Sequence, residues 1–183
     1  EVTPVFVYTN YPTAELFING KSYGKQSKNN SSLKSRYRLM WMDAVYEPGE
    51  VKVVAYNKDG KAVAEKTVRT AGKPHHIELV SNRNELTADG KDLAYVTVKV
   101  VDKDGNLCPT DSRLIHFSVK GAGKFRAVAN GDPTNLEQFH LPKMHAFHGM
   151  LTAIVQAGEI AGDLVLTAKA SGVKTGTVHL QAK

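Results

Sequence analysis

The chain has 183 residues, 42% of them hydrophobic and 23% charged, which excludes a disordered or fibrous protein. It contains no apolar run of about 18 residues, so no membrane span is expected, and its single cysteine, Cys108, excludes an internal disulfide. The net charge of +6 lies mainly around residues 21–38, in a polar loop that shows neither a recognition helix nor interleaved aromatics, so no nucleic-acid partner is expected.

Short segments of alternating apolar and polar residues recur between turn signals, which predicts an all-β protein. The first strand is expected at residues 4–8. Residues 15–18 and 21–23 then flank Asn19-Gly20, a pair that tolerates the positive φ angles of a type I′ turn. This pattern predicts a two-residue β-hairpin.

A second hairpin is predicted between residues 51–56 and 62–64, where Gly60 suits the left-handed position of a longer turn. Residues 37–42 lie between the two hairpins and contain bulky side chains around Trp41. We expect these side chains to fill the space between two sheets, with Trp41 buried.

A polar stretch with a glycine and a proline, residues 70–74, interrupts the alternation before a new strand at 76–80. Such stretches mark domain boundaries. The sequence therefore predicts two domains, 1–73 and 74–183.

The second domain is predicted to contain about seven short strands, the number expected of an immunoglobulin-like β-sandwich. Ala94, Val96, Val98 and Val100 share one face of the clearest strand and should point into the core. The further predicted strands are 114–119, 147–155, 164–168 and 177–180. The fold class is thus two tandem immunoglobulin-like β-sandwiches.

One long connection, residues 130–145, shows no structure of its own in the sequence. Loops of this length tend to be functional or disordered. Phe139, Leu141 and Met144 indicate order, because each needs an apolar surface to pack against.

The sequence offers no convincing catalytic or metal site. His140, His145 and His148 match no strong zinc spacing and have no cysteine partner, so neither a metal nor another cofactor is expected. Glycoside hydrolysis needs two carboxyl groups flanking the scissile bond, and no candidate carboxylate follows a segment that resembles a barrel strand. The glycines occur singly at turns and form no phosphate-binding loop.

Exposed aromatics beside turn prolines, Tyr11 and Tyr46, are candidates for stacking against sugar rings. Together with Asp132, Phe139, His140 and Leu141 of the long connection, they form the predicted contact set, either for a glycan or for another domain.

Several segments carry a resemblance to a known family. Residues 8–10, 15–24, 41–50 and 53–56 resemble the small sandwich domain that follows the catalytic barrel in bacterial β-galactosidases of glycoside hydrolase family two. Residues 86–90, 96–105, 117–123 and 129–133 resemble the immunoglobulin-like domain that comes next in those enzymes, and are also similar to repeated domains of bacterial surface adhesins.

The resemblance implies a parent enzyme that cleaves terminal β-galactosides with retention, using two glutamates on a barrel upstream of residue 1. This chain would then be a non-catalytic accessory fragment. Its implied partners are the catalytic barrel of the same polypeptide and a second subunit, and the parent would be periplasmic or exported. Two alternatives stay open: a carbohydrate-binding module and an adhesin-type domain.

Overall fold

The computed structural model describes Glu1–Lys183, which divide into two units, Glu1–Thr70 and Ala71–Lys183. Every secondary-structure element of the chain is a strand. No helix is long and apolar enough to cross a membrane. The all-β prediction is therefore confirmed. The division at 73/74 into separate domains stays a prediction.

Unit 1 contains six strands. They are β1 (Val5–Val7), β2 (Thr13–Ile18), β3 (Lys21–Ser27), β4 (Leu39–Trp41), β5 (Glu50–Tyr56) and β6 (Ala62–Arg69). Four of them form an antiparallel sheet in the order β3-β2-β5-β6, and β1 pairs with β4 in a second, two-stranded sheet. Seven side chains are buried in the core of this unit: Ala14, Leu16, Ile18, Leu39, Trp41, Ala44 and Ala55.

The first predicted hairpin is confirmed. Asn19 and Gly20 have φ angles of 49° and 80°, and Ile18 pairs directly with Lys21, which is the geometry of a type I′ turn. The Asn19 side chain strengthens the turn, because its oxygen accepts a hydrogen bond from the Glu50 amide at 2.8 Å.

The prediction for residues 37–42 is correct only in part. Leu39 and Trp41 are buried, and the Trp41 indole N–H donates to the Gly24 carbonyl at 3.1 Å. Tyr37 and Met42 are exposed instead, because only residues 39–41 form a strand and its buried face takes alternate side chains.

Unit 2 contains nine strands in two sheets. They are β7 (His76–Ser81), β8 (Glu85–Leu86), β9 (Leu93–Val101), β10 (Leu114–Gly121), β11 (Gly123–Ala129), β12 (Lys143–His145), β13 (Met150–Ala157), β14 (Gly162–Lys169) and β15 (Gly176–Ala182). The sheet orders are β12-β10-β14-β15-β8 and β11-β13-β9-β7. Only the pairing of β15 with β8 is parallel.

The core of unit 2 is built by alternation, as the sequence predicted. Ala94, Val96, Val98 and Val100 are all fully buried and contribute to a single cluster with inward side chains of the other strands. The predicted strand at 147–155 begins late, at Met150, because His148 and Gly149 adopt positive φ angles of 51° and 73° and form a turn.

Candidate functional site

Unit 1 carries a cleft of about 350 Å³ lined by Tyr8, Thr9, Asn10, Lys28 and Tyr37. Strand pairing creates it. β1 and β4 pair antiparallel with Val7 opposite Leu39, so the residues just after β1 and just before β4 leave the sheet at the same end, where they line the cleft. Lys28 enters from the end of β3.

Hydrogen bonds hold the cleft segments in place. The Lys28 ammonium donates to the Thr9 carbonyl, and the Lys28 amide donates to the Pro12 carbonyl at 2.9 Å. The Tyr11 amide donates to the Thr9 hydroxyl at 3.2 Å. The lysine that gives the cleft its charge therefore also ties its two walls together.

The tyrosine rings of the cleft are open to solvent. Tyr8 is 70% exposed and Tyr37 is 66% exposed, and neither phenol oxygen has a hydrogen-bond partner within the chain. The Arg36 guanidinium lies 5.8 Å from the centre of the Tyr37 ring. The cleft thus combines accessible aromatic faces with positive charge.

The predicted aromatic residues do not form this cleft. Tyr11 is partly exposed and follows the cleft residues in sequence without lining it. Tyr46 is exposed, as predicted, and its hydroxyl lies 3.2 Å from the Thr70 hydroxyl. Sequence reasoning did not select Tyr8, because nothing in the sequence shows that β1 pairs with β4.

The long connection of unit 2 is more ordered than the sequence indicated. Its last residues form β12 on the edge of the five-stranded sheet, and Glu137 accepts hydrogen bonds from both the amide and the ring of His145 at 3.1 Å. Met144 is fully buried. The sequence predicted order in this connection but not the strand at residues 143–145.

Apolar side chains of the same connection remain in solvent. Leu136 is 96% exposed, Phe139 is 56% exposed and Leu141 is 36% exposed. The expectation that Phe139 and Leu141 pack against an apolar surface stays a prediction, because both keep part of their surface in solvent within this chain. His140 is also exposed.

The remaining predicted residue of the connection, Asp132, has a structural task. Its carboxylate accepts hydrogen bonds from the Thr134 amide at 2.8 Å and the Thr134 hydroxyl at 2.7 Å. These bonds lower the pKa of Asp132, because they stabilise the charged form. Asp132 is thus committed to its own turn.

A second carboxylate, Asp102, is the only buried charged side chain. It accepts hydrogen bonds from the Gly72 amide at 2.8 Å, the Asn106 side chain at 3.0 Å and the Asp104 amide at 2.9 Å. These bonds lower the pKa of Asp102 far below its usual range. The bond from Gly72 has the largest effect, and the bond from the Asn106 side chain has the next largest. This carboxylate stays ionised and organises the turn after β9.

Histidine and cysteine side chains are not gathered into a metal centre. His145 pairs with Glu137, whereas the His148 ring lies 3.2 Å from the Pro109 carbonyl. No group of three His, Cys, Asp or Glu side chains converges as a metal site requires. Cys108 is buried, and burial raises the pKa of its thiol.

A concavity of about 810 Å³ lies in unit 2 between the turns 121–124 and 157–163. Its lining is dominated by glycine and alanine. At Gly121 an added Cβ would come within 2.0 Å of the Asp163 carbonyl oxygen, so the small residue is required by the close approach of two turns. Packing of the backbone accounts for this concavity.

Two family models match the chain. Residues 77–179 match glycoside hydrolase family 2 C-terminal domain 5, and residues 1–64 match a domain of unknown function, DUF4982. Together the two matches cover most of both units.

Individual relatives agree with these models. The beta-galactosidase BoGH2A of Bacteroides ovatus is 42% identical over 176 residues, which cover 96% of this chain and 20% of that protein. A beta-glucuronidase of Formosa agariphila is 26% identical over 181 residues, covering 97% of this chain and 18% of the relative. The chain spans about a fifth of the length of the curated relatives it matches.

The fold also recurs in solved structures. A beta-glycosidase from Bacteroides vulgatus aligns with a TM-score of 0.90 at 28% sequence identity, over 100% of this chain and 23% of that chain.

Proposed function

Because this chain belongs to glycoside hydrolase family 2, through the C-terminal domain 5 matched over residues 77–179, we propose that its units are non-catalytic accessory domains of a β-galactosidase-like enzyme. The observation that carries the proposal is the 42% identity to a beta-galactosidase across 96% of this chain but only 20% of the relative. The parent's two catalytic glutamates, acting with retention, would lie outside residues 1–183.

The carboxylates of the chain support the non-catalytic role. A glycosidase acid must hold its proton near neutral pH, which requires a raised pKa. Six carboxyl groups have a lowered pKa instead, and hydrogen bonds to the ionised form contribute in each case: Glu15, Asp89, Asp92, Asp102, Asp111 and Asp132. These groups are suited to holding turns and not to protonating a leaving group.

Each unit is proposed to be a domain of its own, with the division at 73/74 that the sequence predicts. The separate core clusters support this, because each unit buries its own apolar residues. Two covalently linked sandwiches offer the parent enzyme a stable, covalently attached surface.

The exposed part of the long connection is the proposed contact with the catalytic barrel of the same polypeptide. Phe139, His140 and Leu141 lie on it, between Glu137 and β12. Asp132 holds the turn that precedes them. Burying a side chain such as Phe139 contributes about 1.5–3 kcal/mol. A second subunit or a glycan is the alternative partner for this surface. Tyr11 and Tyr46 are the residues of unit 1 that we propose would contact the same partner.

An activity assay tests the non-catalytic assignment. The 183-residue chain is incubated with an aryl β-galactoside and an aryl β-glucuronide, with the full-length enzyme as positive control. No turnover above buffer is expected from the chain. Turnover that follows the chain through successive purification steps would contradict the proposal.

A pair of substitutions tests the contact. Phe139→Ser should lower the unfolding temperature of the full-length enzyme, because the contact with the barrel is lost, and should leave that of the isolated chain unchanged. Ile160→Ser is the matched control, since Ile160 is 80% exposed and lies outside the connection. If Phe139→Ser lowers the unfolding temperatures of the full-length enzyme and of the isolated chain equally, the side chain acts only within unit 2.

A further inference from the structure

We propose that the cleft of Tyr8, Thr9, Asn10, Lys28 and Tyr37 binds a sugar ring that carries a carboxylate, which makes unit 1 a recognition module for acidic glycans. This inference goes beyond the accessory role proposed above and does not depend on it.

The aromatic rings supply the sugar-binding surface. Tyr8 and Tyr37 both line a concavity while most of their surface stays in solvent. Aromatic faces carry partial negative charge, and the C–H bonds on one face of a pyranose ring present the complementary positive edge. Two such rings in one cleft favour a flat, partly apolar ligand.

Unused polar groups lie beside the rings. The Lys28 ammonium has three donors, and one of them is taken by the Thr9 carbonyl. The Asn10 side chain offers both a donor and an acceptor and makes no hydrogen bond within the chain. A ligand with hydroxyl and carboxylate oxygens matches these groups.

The positive charge near the cleft determines the sign of the charge that a ligand should carry. Residues 24–42 contain five basic side chains and no acidic one. None of these five takes part in an ion pair of the chain; the pairs lie elsewhere, for example Arg69 with Glu50 and Arg113 with Asp111. Lys25 lies opposite Glu15 across the β2–β3 pair. The charge of the other four basic side chains, which no ion pair neutralises, attracts anions, so an acidic sugar is favoured over a neutral one.

The size of the cleft favours a glycan over a nucleic acid. Its volume of about 350 Å³ is at the lower end of the range of ligand pockets, about 300–1,000 Å³, and suits one or two sugar rings. Single-stranded nucleic acid needs a basic groove that follows about 4–16 nucleotides of backbone, which a cleft of five residues does not provide.

Titration of the 183-residue chain with methyl β-D-glucuronide and methyl β-D-glucoside tests the proposal, because the two probes differ only at C6. Amide NMR shifts should move around Tyr8, Lys28 and Tyr37, with the glucuronide binding at least about tenfold more tightly than the glucoside. Higher salt should reduce this preference, since screening weakens the charge contribution. Equal affinity for both probes would overturn the assignment of an acidic ligand.

Substitutions separate recognition from folding. Tyr37→Ala should weaken glucuronide binding about tenfold or more, while Tyr95→Ala, which removes an exposed tyrosine of unit 2, should leave it unchanged. Lys28→Gln should abolish the preference for glucuronide over glucoside, and Lys28→Arg should preserve it. If the Lys28 variants unfold, the shift map of the unmodified chain and the Tyr37 variant decide the question.

Two further outcomes would overturn the proposal. One is the absence of any glucuronide-dependent shift up to about 10 mM, which is about ten times a dissociation constant of about 1 mM. The other is saturable binding of a single-stranded oligonucleotide at these residues while the glucuronide has no effect, which would assign the surface to nucleic acid.

Discussion

Replacing Leu39 by alanine should destabilise unit 1 and leave unit 2 intact. Leu39 lies on β4 and is almost completely buried among the seven core side chains of unit 1. Truncating a buried leucine costs about 2–5 kcal/mol, because apolar contacts are lost and a cavity remains. With so few core residues, little else in this unit compensates.

The size of unit 1 sets the scale of the effect. Glu1–Thr70, folding alone, has an expected stability of about 4–10 kcal/mol at the usual contribution per residue. A loss of about 3 kcal/mol is therefore a large share of the total. For a urea slope of about 1–1.5 kcal/mol per molar, the unfolding midpoint of unit 1 should fall by about 2–3 M.

The single tryptophan makes the measurement selective. Trp41 is the only tryptophan of the chain and is buried in unit 1, so its fluorescence follows the unfolding of that unit, whereas circular dichroism follows both. Met144→Ala is the control, because Met144 is fully buried in unit 2. It should shift the dichroism transition of unit 2 and leave the tryptophan midpoint where it was.

Two results would refute this reasoning. If Leu39→Ala and Met144→Ala both shift the two transitions together, the units unfold as one cooperative body and the proposed domain division is wrong. If Leu39→Ala leaves the tryptophan midpoint unchanged, then β4 does not contribute to the core as its burial indicates.

Three further predictions concern single residues. Hydrogen bonds lower the pKa of Asp102 below its unfolded value of about 3.9, so its contribution to stability is present above about pH 4 and is lost as the pH falls further. Asp102→Asn should therefore flatten the acid dependence of the unit 2 midpoint, and Asp104→Asn on the same turn should not. Gly20→Ala should lower the stability of unit 1 by about 1–2 kcal/mol, because φ is +80° at this position. Urea unfolding followed by Trp41 fluorescence measures this loss, and an unchanged midpoint would contradict the turn assignment. The Cys108 thiol should react with a thiol reagent at pH 8 only in denaturant, because it is buried with a raised pKa, and fast labelling of the folded chain would disprove this.

The sequence predicted best where local rules determine the structure. The turn at Asn19-Gly20 and the buried face Ala94–Val100 follow from residue type and alternation alone. Trp41 could be placed in the core because its neighbours are apolar. The resemblance to glycoside hydrolase family two, based on residues spread over both units, is confirmed by the family match.

The predictions failed where partners distant in sequence decide the outcome. The cleft depends on the pairing of β1 with β4, and Tyr8 and Tyr37 lie far apart in sequence, so only the register of the two strands brings them together. Likewise, β12 forms because β10 offers it an edge, which no local pattern shows. The turn at His148 was missed since a positive φ at histidine is uncommon.

The use of hydrogen-bonding groups separates the roles of the two units. In unit 2, the Asp102 and Asp132 carboxylates accept bonds from donors of their own turns, and Asp102 also accepts one from the Gly72 amide. Both are ionised at neutral pH because these bonds lower their pKa values, so neither supplies a proton. In the cleft of unit 1, by contrast, Lys28 retains donors and Asn10 retains its whole amide. Groups that the fold leaves unsatisfied at an open surface are the ones that a ligand can bind, which is why recognition is expected of unit 1 and support of unit 2.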